Sequence, residues 1–243
     1  MGAKPFVFFD LGGTLINLHG IVASMAERLG AADVQRPTSS ALDWAVGTAR
    51  LLPSSQGRKF RPEREIASDV LCALLEKQSR PNARDESVRL VEDAWNDFVK
   101  ICAFQPDASA EWLRTLGSKV AGLGLVTDGD TKAVQGVLGR VGIAHLFDAV
   151  TASEEVRSYK PDARIYRAAL EALRATPSES LFVSDSALDL EGAASVGIAG
   201  AWIPRGLLPE LTVPPPGTSV LSSLRDLERI IRRFSRSGRF VLR

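Results

Sequence analysis

Short apolar runs, each closed by a polar or turn residue, recur along the chain. Phe6 to Phe9 ends at Asp10, Val120 to Val126 at Thr127, and Leu181 to Val183 at Ser184 and Asp185. Runs this short and this continuously apolar suit strands buried on both faces. Phe147 to Thr151 and Ala199 to Ile203 read as further strands. Between them apolar positions recur at helical spacing, over Thr131 to Val141, Asp162 to Leu173 and Leu188 to Val196. Alternating strand and helix predicts a parallel sheet covered on both faces. Ligands of such sheets sit beyond the carboxyl ends of the strands, which is where Asp10, Thr127 and Asp185 fall.

From about Ile16 to Phe104 the pattern changes. Helical periodicities appear over Gly20 to Leu29, Ser40 to Leu52, Glu63 to Lys77 and Glu86 to Ile101, with no strand between them. The expected architecture is therefore α/β, a doubly wound parallel sheet with an inserted all-helical unit. Residues 1–15 and 105–243 form the core and 16–104 the insertion. After the break at Pro214 to Gly217 come a short strand, a helix over about Ser223 to Phe234, and a basic end, Ser235 to Arg243, expected to be loosely held.

At 243 residues the chain can hold a core domain and a smaller one. A net charge of +1 gives no basic excess of the kind nucleic-acid binding uses. No apolar run is long enough for a bilayer, and the start of the chain leads straight into a strand, so neither a membrane nor a signal peptide is expected. Two distant cysteines, Cys72 and Cys102, suit a reducing cytoplasm, and a monomer or homodimer is expected.

Four segments could carry chemistry, and each has an ordinary structural reading. Asp10-Leu11-Gly12-Gly13-Thr14-Leu15 could be a plain strand-to-loop turn, or a carboxylate on a loop whose backbone approaches a phosphate closely. Thr127-Asp128-Gly129 could simply start a helix. Lys160-Pro161-Asp162 has proline where helices often begin. In Ser184 to Asp189, the second acid could cap the following helix. Arg58, Lys59, Arg61 and Arg64 could meet an anion, but such a run usually forms a solvated face. Trp44 and Trp95 fit the core of the insertion, and His19 lies just past the first segment.

In this order the four segments resemble the motifs of the haloacid dehalogenase superfamily, over nearly all of the core. Asp10 takes the place of the family's nucleophile, Thr127 its second motif, Lys160 its third, and Asp185 with Asp189 its fourth. Ser153-Glu154-Glu155 and Gly192-Ala193 also look like the family, and the insertion resembles its helical cap. The resemblance implies catalysis by Asp10, Thr127 and Lys160, with phosphate bound by Gly12, Gly13, Thr127, Asp128 and Lys160. It further implies Mg²⁺ held by Asp10, the Gly12 backbone carbonyl and Asp185, with Asp189 in support. The expected activity is Mg²⁺-dependent hydrolysis of a small phosphorylated metabolite through an aspartyl-phosphate.

Gly12 departs from that pattern, standing where most phosphatases of the family carry a general acid, whose help is typically worth ~10²–10⁴ in rate. Dehalogenases of the family lack that acid too, but typically carry an aromatic residue there and no acid at the Asp185 position. Retention of Asp185 favours phosphate in this reading. The alternatives are metal-free dehalogenation of a small haloacid through an aspartyl ester, and a silent binding protein on the same scaffold.

Overall fold

The computed structural model describes residues 3–205, 213–238 and 240. Its centre is a parallel six-stranded sheet in the order β3-β2-β1-β4-β5-β6. The strands are β1 (Phe6–Phe9), β2 (Gly122–Thr127), β3 (Ala149–Ala152), β4 (Ser180–Ser184), β5 (Ala199–Trp202) and β6 (Ser219–Val220). The chain winds outward from β1 to β3, then returns to pair β4 with the other edge of β1. That reversal places β1 between β2 and β4, and the crevice at its carboxyl end becomes the natural binding position.

Alternation along β1 divides the core in two. Val7 and Phe9 face one buried cluster, while Phe8 faces another with Val126, Tyr166 and Phe182. The helices of the sheet are α5 (Ala110–Gly117), α6 (Thr131–Arg140), α7 (Ser153–Val156), α8 (Ala163–Leu173), α9 (Ala187–Ser195) and α10 (Leu227–Ser237). Side chains set several starts: Ser109 accepts from the Trp112 amide, Asp162 from the Arg164 amide and Ser186 from the Asp189 amide. Ser186, not Asp189, therefore caps α9, which leaves the Asp189 carboxylate free for other contacts.

The insertion holds four helices, α1 (His19–Ala31), α2 (Pro37–Leu51), α3 (Glu63–Lys77) and α4 (Ala83–Ile101), and no strand. On α4 the buried Leu90, Val91, Ala94 and Phe98 form one stripe. They join the cluster that contains Val7 and Phe9, so the cap and one face of the sheet share a core. Entering and leaving strands of chain are tied together, since the Asn17 amide donates to Ala103 O at 3.0 Å and the Gln105 amide to Leu15 O at 2.8 Å.

A second seam lies on the far side of the cap. The Gln56 side-chain amide pairs with the Tyr159 backbone, giving 3.0 Å and accepting at 3.0 Å. Tyr159 stacks on Phe60 with ring centroids 4.9 Å apart, and its hydroxyl donates to Arg61 O. The residue next in the chain is Lys160, so the cap braces the segment that presents it.

Two sequence expectations need amendment here. Helix α5 was not expected, because its eight residues give too short a periodicity to stand out. The basic end is helical as far as Ser237, held by Ile231 and Phe234 in the core; 239 and 241–243 lie outside the described residues.

Candidate active site

Asp10 follows β1 directly, and its amide donates to Val183 O on β4, fixing the backbone where two strands end. Its carboxylate is buried, with 5% of the residue exposed. Lys160 Nζ lies 2.6 Å from Asp10 Oδ1 and also 2.6 Å from Asp189 Oδ2. Ser184 Oγ donates to that same Asp189 oxygen at 3.0 Å, and the Tyr166 hydroxyl donates to the Asp189 carbonyl. One ammonium thus bridges two carboxylates brought from β1 and α9. Burial works against the lysine's charge, but Asp10, Asp189 and Asp128 outweigh it and hold its pKa well above the ordinary value.

The second oxygen of Asp10 meets Thr14, whose Oγ1 lies 2.9 Å from Asp10 Oδ2 and 3.0 Å from Asp185 Oδ1. Thr14 Oγ1 also accepts the Asp185 amide at 3.0 Å. A hydroxyl has one proton to give to these two carboxylates. Loss of solvation, then the charges of Asp10 and Asp189, push Asp185 up to about 7, so near neutrality it carries a proton of its own part of the time.

Gly13 is required by this arrangement. Its φ is +81°, and a Cβ there would lie 2.2 Å from Asp185 Oδ2. The Gly13 amide donates to Ile16 O at 2.8 Å and its carbonyl accepts from Gln105 Nε2 at 2.7 Å. The amide expected to cradle a phosphate is therefore engaged inside the loop. Arg205, which pairs with Asp107 at 2.6 Å, donates to the Thr14 carbonyl and anchors the loop from the other side.

Thr127 and Asp128 stand at the end of β2. The Thr127 hydroxyl donates to Asp128 O, and Asp128 Oδ1 accepts the Lys160 amide at 3.0 Å. Burial, reinforced by Asp189 and Asp10, pushes Asp128 up to about 7 against the pull of Lys160. The structure thus gathers Asp10, Thr127, Asp128, Lys160, Asp185 and Asp189 around one crevice. It does not bring in the basic run: Arg58 and Lys59 are exposed, Arg61 pairs with Asp69, and Arg64 pairs with Asp130. His19 is exposed and bonded to Asn17. Thr14, Ser184 and Arg205 were not assigned roles from sequence; Thr14 and Ser184 sit inside the motifs, while nothing local marks Arg205.

Asp10, Asp185 and the Gly12 carbonyl are the donors expected for Mg²⁺. Among the described residues, no three His, Cys, Asp or Glu side chains are gathered as a metal-binding group. Thr14 lies between the two acids, and Lys160 sits on the other Asp10 oxygen.

The molecule is thus a doubly wound sheet with a helical cap and a buried, lysine-paired carboxylate at the end of its first strand. A family model for haloacid dehalogenase-like hydrolases matches residues 6–197, and the chain belongs to that family. It is 30% identical over 203 residues to (S)-2-haloacid dehalogenase 2 of Pseudomonas sp. (strain CBS-3), covering 82% of this chain and 83% of the relative. (S)-2-haloacid dehalogenase 1 of the same strain is 28% identical over 235 residues, 93% of this chain and 96% of the relative. Among solved structures, an L-2-haloacid dehalogenase from Xanthobacter autotrophicus matches with a TM-score of 0.75 at 22% identity, over 94% of this chain and 98% of its own.

These relatives overturn the Mg²⁺-dependent phosphatase expected from sequence and favour the alternative of dehalogenation. The expectation rested on Asp185 as the mark of a metal site. In the structure Asp185 packs against Gly13, shares the Thr14 hydroxyl, and lends its carbonyl to the Trp202 indole at 2.9 Å. These contacts brace the loop after β1, a role that spacing alone does not reveal. No described helix is long and apolar enough to cross a membrane.

Proposed function

We propose that this protein hydrolyses a small 2-haloacid through an aspartyl ester on Asp10. The observation that carries the reading is likeness to (S)-2-haloacid dehalogenases over more than four-fifths of both chains. The site's chemistry supports it. In the first step Asp10 attacks the carbon bearing the halogen; a carbon–oxygen bond forms and the halide leaves with its electron pair. In the second, water adds to the ester carbonyl, releasing the 2-hydroxy acid and a proton and restoring Asp10. Asp189, fixed by Lys160 and Ser184, is the neighbouring carboxylate placed to take the proton from that water. Burial raises the Asp10 pKa, and the Lys160 ammonium opposes that by favouring the charged form that attacks, while the cap limits water around it.

Displacement at carbon needs no divalent cation, because halide departs as a stable anion and the neighbouring positive charge is Lys160. The test is halide release from a panel of 2-chloro and 2-bromo acids, with and without a chelator. Release that the chelator leaves unchanged, and that Asp10→Asn lowers by roughly 10⁴ or more, is the expected result. A folded Asp10→Asn protein that keeps the parent rate removes Asp10 from the reaction.

A further inference from the structure

Tyr159 and Lys160 are neighbours in the chain, yet their side chains are buried in different places. The Tyr159 ring lies among Leu52, Ile66 and Phe60, all from the cap, in a small cluster apart from the two main cores. The Lys160 side chain runs to Asp10 and Asp189. Two consecutive residues thus link the interior of the cap to the nucleophile. The backbone of the first is held by a cap side chain. Gln56 Oε1 accepts the Tyr159 amide, and Gln56 Nε2 donates to the Tyr159 carbonyl, both at 3.0 Å. The same Nε2 donates to Pro53 O at 3.2 Å, and the Gly57 amide donates to Arg157 O at 2.9 Å, so Gln56 is itself fixed. From the core, the Asp128 carboxylate accepts the Lys160 amide at 3.0 Å.

An amide side chain both gives and takes a hydrogen bond, so it pairs with a peptide backbone as a neighbouring strand would. Glutamate would only accept there. We propose that Gln56 is a positioning residue for Lys160: by clamping the Tyr159 backbone, it fixes the point from which the ammonium reaches Asp10. Its effect on turnover rests on the function proposed above; its hold on Lys160 does not. Seating of the cap and seating of the lysine become one event. A cap that lifts at this seam releases the cation beside the nucleophile.

Two measurements test the proposal. The first follows lysine labelling by formaldehyde and borohydride, read by mass spectrometry, with exposed Lys77 as the internal reference. Lys160 is 5% exposed and reacts only when its segment opens. Gln56→Met keeps the bulk and removes both bonds to Tyr159; Gln56→Glu keeps the acceptor and removes the donor. Trp44→Phe is the control, because it removes a bond to Ala67 O within the cap and none at the seam. Expected is a rise of roughly tenfold in Lys160 labelling in Gln56→Met, a smaller rise in Gln56→Glu, and the parental rate in Trp44→Phe. The second measures halide release from 2-chloropropanoate, where Gln56→Met should lower kcat by about tenfold and keep KM within about twofold of the parent. Parental labelling of Lys160 in folded Gln56→Met and Gln56→Glu overturns the proposal. So does equally fast labelling in Trp44→Phe, since loosening of the cap at large would then be the cause. Faster labelling with an unchanged kcat makes Gln56 a structural contact and overturns its role in positioning. No halide release by the parent overturns the displacement chemistry, and labelling then decides the hold of Gln56 on Lys160 by itself.

Discussion

Lys160 is held between two acids that have different work to do in the proposed reaction. Asp10 must attack, and Asp189 must receive a proton from water once the ester has formed. Asp189→Asn keeps the shape and the hydrogen bond to Ser184 but cannot take that proton. One equivalent of halide should then be released without turnover, and the protein's intact mass should rise by the acyl group of the acid. An unmodified mass after reaction with a good substrate removes Asp189 from the second step. The glycines of the loop separate in the same way. Gly13→Ala puts an L side chain at a φ of +81° and drives out Asp185. The backbone alone costs roughly 1–2 kcal/mol, so a loss above about 2 kcal/mol in urea unfolding is expected. Gly12→Ala has the movable Leu18 side chain as its nearest neighbour, and about 1 kcal/mol or less is expected from the same measurement. Equal losses would mean that position 12 is as constrained as position 13. From sequence both glycines look alike, because the φ angle and the side chain facing it come from distant parts of the chain.

Among the elements, α3 shows how cap and core are joined. Pro62 precedes it and offers no side-chain cap. Asp130, in the loop after β2, supplies one instead: its carboxylate accepts the Glu63 amide at 2.8 Å and the Arg64 amide at 3.2 Å. The Arg64 guanidinium adds a bond to it at 2.7 Å. Asp130→Ala should therefore cost about 1–2 kcal/mol, the range for losing a helix cap. Amide exchange should quicken in the first turn of α3 while β1 and β4 keep their protection. Unchanged exchange there would show that α3 starts without the core's help. The helix itself is legible, since Glu63 to Lys77 repeats its apolar positions at helical spacing. Its cap is not, because the carboxylate comes from 67 residues further along the chain. Helix α5 escapes the same kind of reading because eight residues hold too few repeats.

Across the whole molecule, the acids at the seam between cap and core set a pH dependence. Burial, with Asp130 and Asp128 close by, pushes Glu63 up to about 8, while Lys160 pulls the other way. Asp128 and Asp185 are pushed up to about 7. An unfolded chain ionises such groups near pH 4, so between about pH 4.5 and 8 the folded protein holds more protons. Stability should consequently fall as pH rises through that window. Glu63→Gln should flatten the fall and melt higher than the parent at pH 8; identical melting profiles from pH 5 to 8 would remove Glu63 from the effect. What the sequence by itself determined is the order of buried strands, the helical insertion, and Asp10, Thr127 and Asp185 at strand ends. Those follow from local periodicity and from motifs whose residues are neighbours in the chain. Tertiary structure alone decided that Asp185 braces Gly13, that Lys160 bridges Asp10 and Asp189, and that Gln56 pairs with the Tyr159 backbone. Each of these depends on distances between segments far apart in sequence, and close packing sets such distances only once the whole chain has folded.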